Sequence, residues 1–137
     1  MEMVYTLKVY PQGHGTSVYR VLKISGSETL DKLCKVILDS FDFIDEHLYE
    51  FCMDNKMYSR NSYQSDPEGR QPSTKQKIGK LGLREKQKFS LHYDFGDDWM
   101  FMINVQKIEA DTGKTEPYIV KGKGNIEQYS DWDDDWE

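Results

Sequence analysis

The sequence predicts an α+β domain, an antiparallel-dominated mixed sheet with one main helix laid across it, in the order hairpin, helix, strands. Three observations carry this. Two β-branched and aromatic runs, residues 3–10 and 17–24, flank the breaker Pro11-Gln12-Gly13-His14-Gly15. One amphipathic stretch follows them, and further short alternating runs follow that. The succession is that of a β-grasp-like arrangement, with the pairing order left open by the sequence. At 137 residues the chain is one domain's length, enough to bury a core without disulfide or metal staples.

The first strand is Met3 to Tyr10, and Val18, Arg20, Leu22 and Ile24 alternate in its hairpin partner. Ser25-Gly26-Ser27 ends the second strand, with Ser27 as the expected helix N-cap and Glu28 in the favourable first turn. Leu30, Leu33, Cys34, Ile37, Leu38 and Phe41 fall at helical spacing on one face, and Asp31, Lys32, Lys35 and Asp39 on the other. Cys34 on that stripe reads as a small buried hydrophobe rather than a nucleophile. A third strand is expected at His47 to Met53. A polar stretch from Ser59 to Lys77, with Pro67, Gly69 and Pro72, reads as a long mobile loop. Ile78, Leu81 and Leu83 anchor a short turn. Phe89 to Tyr93 and Trp99 to Val105 alternate as two strands around a turn, Asp94-Phe95-Gly96-Asp97-Asp98, in which Gly96 is free to take a positive φ. A last strand is expected near Tyr118 to Lys121. Residues 1–124 thus form the single domain, and 125–137 an acidic-aromatic tail.

Composition narrows the class. Aromatic residues make up 13%, which argues against disorder. No apolar run is long enough to span a membrane, and Met1-Glu2-Met3-Val4 has no character of a secretion signal. With Cys34 and Cys52 as the two cysteines and no paired-cysteine motif, a reduced cytoplasmic setting is expected. The net charge of −6 is unevenly spread: the body sums to zero, and the whole excess sits in Glu127, Asp131, Asp133, Asp134, Asp135 and Glu137. Within the body, Arg60 to Lys88 holds eight basic side chains against Asp66, Glu68 and Glu85.

Several patterns could carry chemistry. Asp94-Phe95-Gly96 is the metal-binding triplet of protein kinases, but the other kinase motifs are absent and the chain is far too short. Asp94, Asp97 and Asp98 in one tight turn offer hard oxygen ligands suited to Mg²⁺, Mn²⁺ or Ca²⁺, though the spacing matches no calcium-loop motif. His92, two residues before Asp94 on a strand, shares a face with it and suggests a His–carboxylate pair for acid/base work. The plainer reading has the aspartates bonding turn amides and His92 facing solvent. His14, His47 and His92 are too scattered for a zinc site. Arg70, Lys75, Lys77, Lys80, Arg84, Lys86 and Lys88, with Tyr63 and Phe89 close by for base stacking, sketch a nucleic-acid surface, the plainer reading being a solvated loop. The tail, Asp131-Trp132-Asp133-Asp134-Asp135-Trp136, reads as a shield for that surface, a recognition peptide or a frayed end.

Tyr93-Asp94-Phe95-Gly96-Asp97-Asp98-Trp99 resembles the signature of the plasmid pRiA4b ORF-3-like family. A leucine-rich helix (Leu30, Leu33, Ile37, Phe41) followed by His47-Leu48-Tyr49-Glu50-Phe51 also matches that pattern, and the order agrees over residues 4–124. The resemblance implies a small cytoplasmic α+β domain associated with plasmids and mobile elements, without an established biochemical activity. The chain departs from the pattern at Tyr19-Arg20 for the usual Trp-Arg, Cys34 and Phe101 for His, and Asp42-Phe43 for Gly-Trp. The closing Pro-Pro-Glu-Asp is missing after Gly122. Of any family His-and-carboxylate site, Arg20, His47, Asp94, Asp97 and Asp98 remain. The expected function is therefore a non-catalytic binding module without a cofactor, its protein partner docking on Tyr19, Arg20, His47, Tyr49, Asp94, Asp97, Asp98 and Trp99. The alternative is a nucleic-acid-binding or metal-dependent phosphodiester-cleaving protein, with Mg²⁺ or Mn²⁺ on Asp94, Asp97 and Asp98 and phosphates on the Arg70–Lys88 stretch.

Overall fold

A computed structural model of the chain describes residues 2–70, 72–113 and 115–129. In chain order it contains β1 (Met3–Pro11), β2 (Tyr19–Ser25), helix α1 (Leu30–Ser40), β3 (Tyr49–Cys52), β4 (Ser62–Gln64), a 3-10 turn at Ile78–Lys80, β5 (Lys88–Tyr93), β6 (Trp99–Ala110) and β7 (Tyr118–Lys123). The strands form one seven-stranded sheet in the order β4-β3-β5-β6-β1-β2-β7. Its strand pairs are antiparallel, and the expected mixed character comes down to one isolated parallel bridge, Gln64 with Ser73.

Helix α1 lies on one face of the sheet because its apolar stripe has nowhere else to go. Leu30, Leu33, Cys34, Ile37 and Leu38 are fully buried against Leu7, Leu22, Ile24, Phe51, Leu91 and Phe101. At roughly 2 kcal/mol per large side chain, that contact is worth about 10 kcal/mol before the entropy of ordering the chain is subtracted. The helix cap is Thr29, not Ser27: the Lys32 N–H donates to Thr29 Oγ1 at 3.2 Å, while the Ser27 hydroxyl sits 2.9 Å from that of Ser25. Cys34 is buried, as its place on the stripe predicts, and burial pushes its thiol well up.

The third strand is shorter than its sequence run, Tyr49–Cys52, because Tyr93 takes hold of the residues before it. The Tyr93 hydroxyl donates to Ile44 O and accepts from the Glu46 and His47 N–H groups. The polar stretch 59–77 is not the open loop its composition suggests. Ser62–Gln64 pairs with β3 as an edge strand, Gln64 bridges Ser73, and Lys77 bridges Thr29. Alternation is faint there because the side chains turned inward are themselves polar: Ser62 and Thr74 are buried, and Gln64 reaches Glu50.

Strand pleating sorts the rest. Tyr49, Phe51, Phe89, Leu91, Tyr93, Phe101 and Ile103 point to the helix and form the core. Their neighbours Glu50, Cys52, Ser90 and His92 therefore point to the helix-free face. They are buried there all the same, with residues 53–61 lying between β3 and β4 and Tyr58 set against His92.

Candidate functional site

The turn between β5 and β6 is built by aspartates. Asp94 and Asp98 take left-handed φ values of 65° and 54°, which Asp tolerates better than most residues, whereas the expected positive φ at Gly96 does not occur. The Asp98 N–H donates to Asp94 O at 2.6 Å and closes the turn. Asp94 Oδ1 accepts from the Gly96 N–H at 3.0 Å and the Asp97 N–H at 3.3 Å. Its Oδ2 faces His47 Nε2 at 3.5 Å, and His47 Nε2 is also 3.0 Å from the Tyr129 hydroxyl.

Asp98 turns the other way. Its Oδ1 meets His92 Nε2 at 2.6 Å, and His92 Nδ1 meets Glu50 Oε2 at 2.7 Å. A fully buried imidazole therefore stands between two carboxylates, a partner set that the sequence reading of a His92–Asp94 pair did not contain. A neutral imidazole has one N–H, so both contacts are hydrogen bonds only when the ring or one carboxyl carries an extra proton. Glu50 is held further by the Tyr58 N–H at 2.7 Å on Oε2 and by Gln64 Nε2 at 2.7 Å on Oε1. Burial works to raise the Glu50 carboxyl, but the bonds from His92, the Tyr58 amide and Gln64 outweigh it and hold the group below the usual glutamate value. Tyr58 lies edge-on to His92, with ring centroids 5.0 Å apart, and is itself at φ 58°. Its hydroxyl reaches Phe95 O at 3.4 Å and Asp98 Oδ1 at 3.5 Å. Cys52 lies two residues beyond Glu50 on the same face, and burial beside that carboxylate pushes its thiol up to about 12. Among the described residues, Glu50, Cys52 and His92 have their ligating atoms within 4.8 Å of one another.

The residues expected on one surface separate into three groups. His47, Asp94, Asp97 and Asp98 surround the hairpin. Tyr49 and Trp99 face the helix side: the buried Tyr49 hydroxyl donates to Asp31 Oδ1, and Trp99 packs on Phe43 and Phe101 at 5.0 and 6.3 Å. Arg20 is a structural tie. Its guanidinium donates to Ser40 O, Tyr19 O, Lys123 O, Gly124 O and Asn125 Oδ1 and lies 4.3 Å over the Phe41 ring. Tyr19 is half-buried under the Lys8 ammonium, 4.9 Å from its ring. The three aspartates do not gather around one point, because Asp94 is spent on turn amides and Asp98 on His92. His92 is buried rather than solvent-facing, for the same reason. Phe89 is in the core and unavailable for base stacking.

Sequence reasoning did not single out Glu50, Tyr58, Ile44 or Tyr129. Ile44, Leu48, Tyr58 and Tyr129 are 55%, 52%, 63% and 43% exposed. Each is joined to the hairpin region: Leu48 O accepts the Asp94 N–H, Ile44 O accepts from Tyr93, and Tyr58 and Tyr129 touch Asp98 and His47. A shallow depression lined by Pro11, Gln12, His14, Asp97, Trp99 and Met100 opens on the same turn. The basic residues Arg70, Lys75, Lys77, Lys80, Arg84, Lys86 and Lys88 are all exposed, and none is in an ion pair among the described residues. The stretch 125–129, assigned by its charge to the tail, lies against the body through Asn125 on Arg20, Gln128 on Ile44 and Tyr129 on His47. The Trp-Asp stretch beyond it falls outside the described residues.

A model of the plasmid pRiA4b ORF-3-like protein family matches residues 3–129. Among solved structures, a protein of unknown function from Methanosarcina mazei Go1, MM3350, is similar with a TM-score of 0.70 and 27% identity, over 89% of this chain and 70% of that one. No curated protein matches.

Proposed function

The chain belongs to the plasmid pRiA4b ORF-3-like protein family, and from that premise we propose that it is a non-catalytic module that binds a protein partner on the surface around its β5–β6 hairpin. The observation that carries this reading is the setting of Ile44, Leu48, Tyr58 and Tyr129, large side chains left in water around an acidic turn. Scattered exposed apolar residues need no explanation, but four tied to one turn by named contacts favour a docking surface. The charge beside them selects the partner. Asp97 is exposed, and the Asp98 and Glu46 side chains are 44% and 56% exposed. The complement is a segment that offers an apolar or aromatic side chain next to Lys or Arg.

The same geometry speaks against acid/base catalysis. His92 is sealed between Glu50 and Asp98 and is not free to meet a substrate, and Asp94 has one oxygen on the turn amides and the other facing His47. The test is quantitative co-precipitation with the full chain, its Leu48→Glu and Tyr58→Ser variants, and Lys75→Ala as a distant control. The reading expects a protein retained by the wild type and the control and lost at least tenfold by the two variants. Retention that ignores both variants would sink it.

One observation favours a second reading. Seven exposed cations, without ion pairs among the described residues, lie on one segment, 70–88, which suits nucleic-acid phosphates. Fluorescence anisotropy with labelled DNA and RNA separates the two: salt-sensitive binding that falls on joint Lys75→Ala and Lys77→Ala substitution supports the nucleic-acid reading. Divalent-metal cleavage on Asp94, Asp97 and Asp98 gains nothing from Asp94 and Asp98 side chains directed to separate partners.

A further inference from the structure

We propose that Glu50, Cys52 and His92 form a binding site for one zinc-class divalent transition-metal ion on the helix-free face of the sheet. This goes beyond the docking surface and does not rest on it. Pleating and register make the cluster. Glu50 and Cys52 are alternate residues of β3, and His92 is paired directly across from Glu50 on β5, so three different donor atoms are brought to one spot by backbone alone. Their ligating atoms lie within 4.8 Å of one another and all three residues are buried. A thiol, an imidazole and a carboxylate are the donor set of zinc and cobalt, not of magnesium or calcium.

The surroundings fit ligands better than they fit a simple polar network. His92 presents Nδ1 to the cluster while its Nε2 is 2.6 Å from Asp98 Oδ1, the carboxylate contact that orients metal-bound imidazoles. Glu50 Oε1 is fixed by Gln64 Nε2, and Oε2, which also accepts the Tyr58 N–H, is directed at His92. Ser90 supplies the independent observation. It is fully buried, stands opposite Cys52 in the register, and among the described residues its Oγ has no nitrogen or oxygen hydrogen-bond partner. An imidazolium bridging two carboxylates would account for His92, Glu50 and Asp98. It would leave the Cys52 thiol, buried beside the Glu50 carboxylate and the Ser90 hydroxyl, outside that charge pattern. An ion on Glu50, Cys52 and His92 takes the thiolate as ligand and offers the Ser90 oxygen a place beside it. Binding releases the Cys52 proton, and the proton shared by Glu50 and His92, to solvent.

The test uses the full chain stripped with EDTA, then titrated with Co²⁺ and with Zn²⁺. We expect one equivalent of Co²⁺ to bind with a sulfur-to-cobalt charge-transfer band, Zn²⁺ to displace it, and the melting temperature to rise with zinc concentration. Cys52→Ser abolishes the band and weakens zinc binding at least tenfold, while Cys34→Ser leaves both unchanged. A folded wild-type chain that shows no charge-transfer band overturns the proposal without any variant having to fold. Equal zinc binding by wild type and Cys52→Ser also overturns it, since the ion then sits on exposed carboxylates.

Discussion

Replacing Glu50 with glutamine in the metal-stripped chain tests the buried network most sharply, because the shape is kept and a single charge is removed. Glu50 Oε2 now takes the Tyr58 N–H and faces His92 Nδ1, both at 2.7 Å, and Oε1 takes Gln64 Nε2 at 2.7 Å. A glutamine must turn its own NH₂ toward one of these sides, so at least one donor ends against a donor. Removing one partner of a buried ion pair costs about 3–5 kcal/mol. The amide oxygen that remains recovers one neutral hydrogen bond, about 1 kcal/mol. The net expectation is a loss of about 2–4 kcal/mol, or a melting temperature lower by about 6–12 °C for a chain of this size. Calorimetry at pH 7 in EDTA reads it directly. A pH series adds a signed check. The folded Glu50 carboxyl lies below its ordinary value, so its contribution is present above the unfolded value, about 4.3, and disappears as pH falls through the folded one. The gap between wild type and Glu50→Gln should therefore narrow below about pH 4.3. A variant that melts within about 1 °C of wild type at pH 7 refutes the account, and so does a gap that stays constant into acid.

Arg20→Lys should cost about 1.5–3 kcal/mol in urea unfolding, because an ammonium cannot reach Ser40 O, Gly124 O and Asn125 Oδ1 together. Amides of 123–126 should lose hydrogen-exchange protection in the same variant, and unchanged exchange would show that Arg20 does not hold that segment. Asp94→Ala should cost about 2 kcal/mol, from the left-handed φ and the turn bonds on Oδ1, while Asp94→Asn costs under about 1 kcal/mol. Equal losses would place the importance of Asp94 in its charge toward His47. Ile37→Ala, at a fully buried helix position, should cost about 2–5 kcal/mol by the same urea measurement, and a loss under about 1 kcal/mol would contradict the helix-on-sheet packing.

Alternation and helical spacing are local, and what they determine was readable: the hairpin, the helix with Cys34 on its buried stripe, and the two strands around the aspartate turn. The candidate site is mostly a product of pairing between distant strands. The pattern Tyr49-Glu50-Phe51-Cys52 already puts Glu50 and Cys52 on the face opposite the core, and Ser90-Leu91-His92 does the same for His92. That the two faces coincide depends on β3 pairing with β5 in a register that no local signal specifies. Arg20 shows the converse. An arginine beside a tyrosine on a strand reads as a surface feature, yet four of its five acceptors come from the helix end and from residues about a hundred positions away. Gly96 was the obvious residue for a left-handed turn position, but Asp94 and Asp98 take those positions and bring their carboxylates to His47 and His92.

The central claim, a docking surface for an apolar side chain beside a cation, is tested most directly by selecting from a random peptide library displayed against the immobilised full chain. The account predicts enriched peptides with an aromatic or aliphatic residue next to Lys or Arg. Their binding should weaken at least tenfold in Leu48→Glu and should also fall in Asp97→Lys. Enrichment of acidic peptides, or peptides whose binding ignores both substitutions, would contradict it.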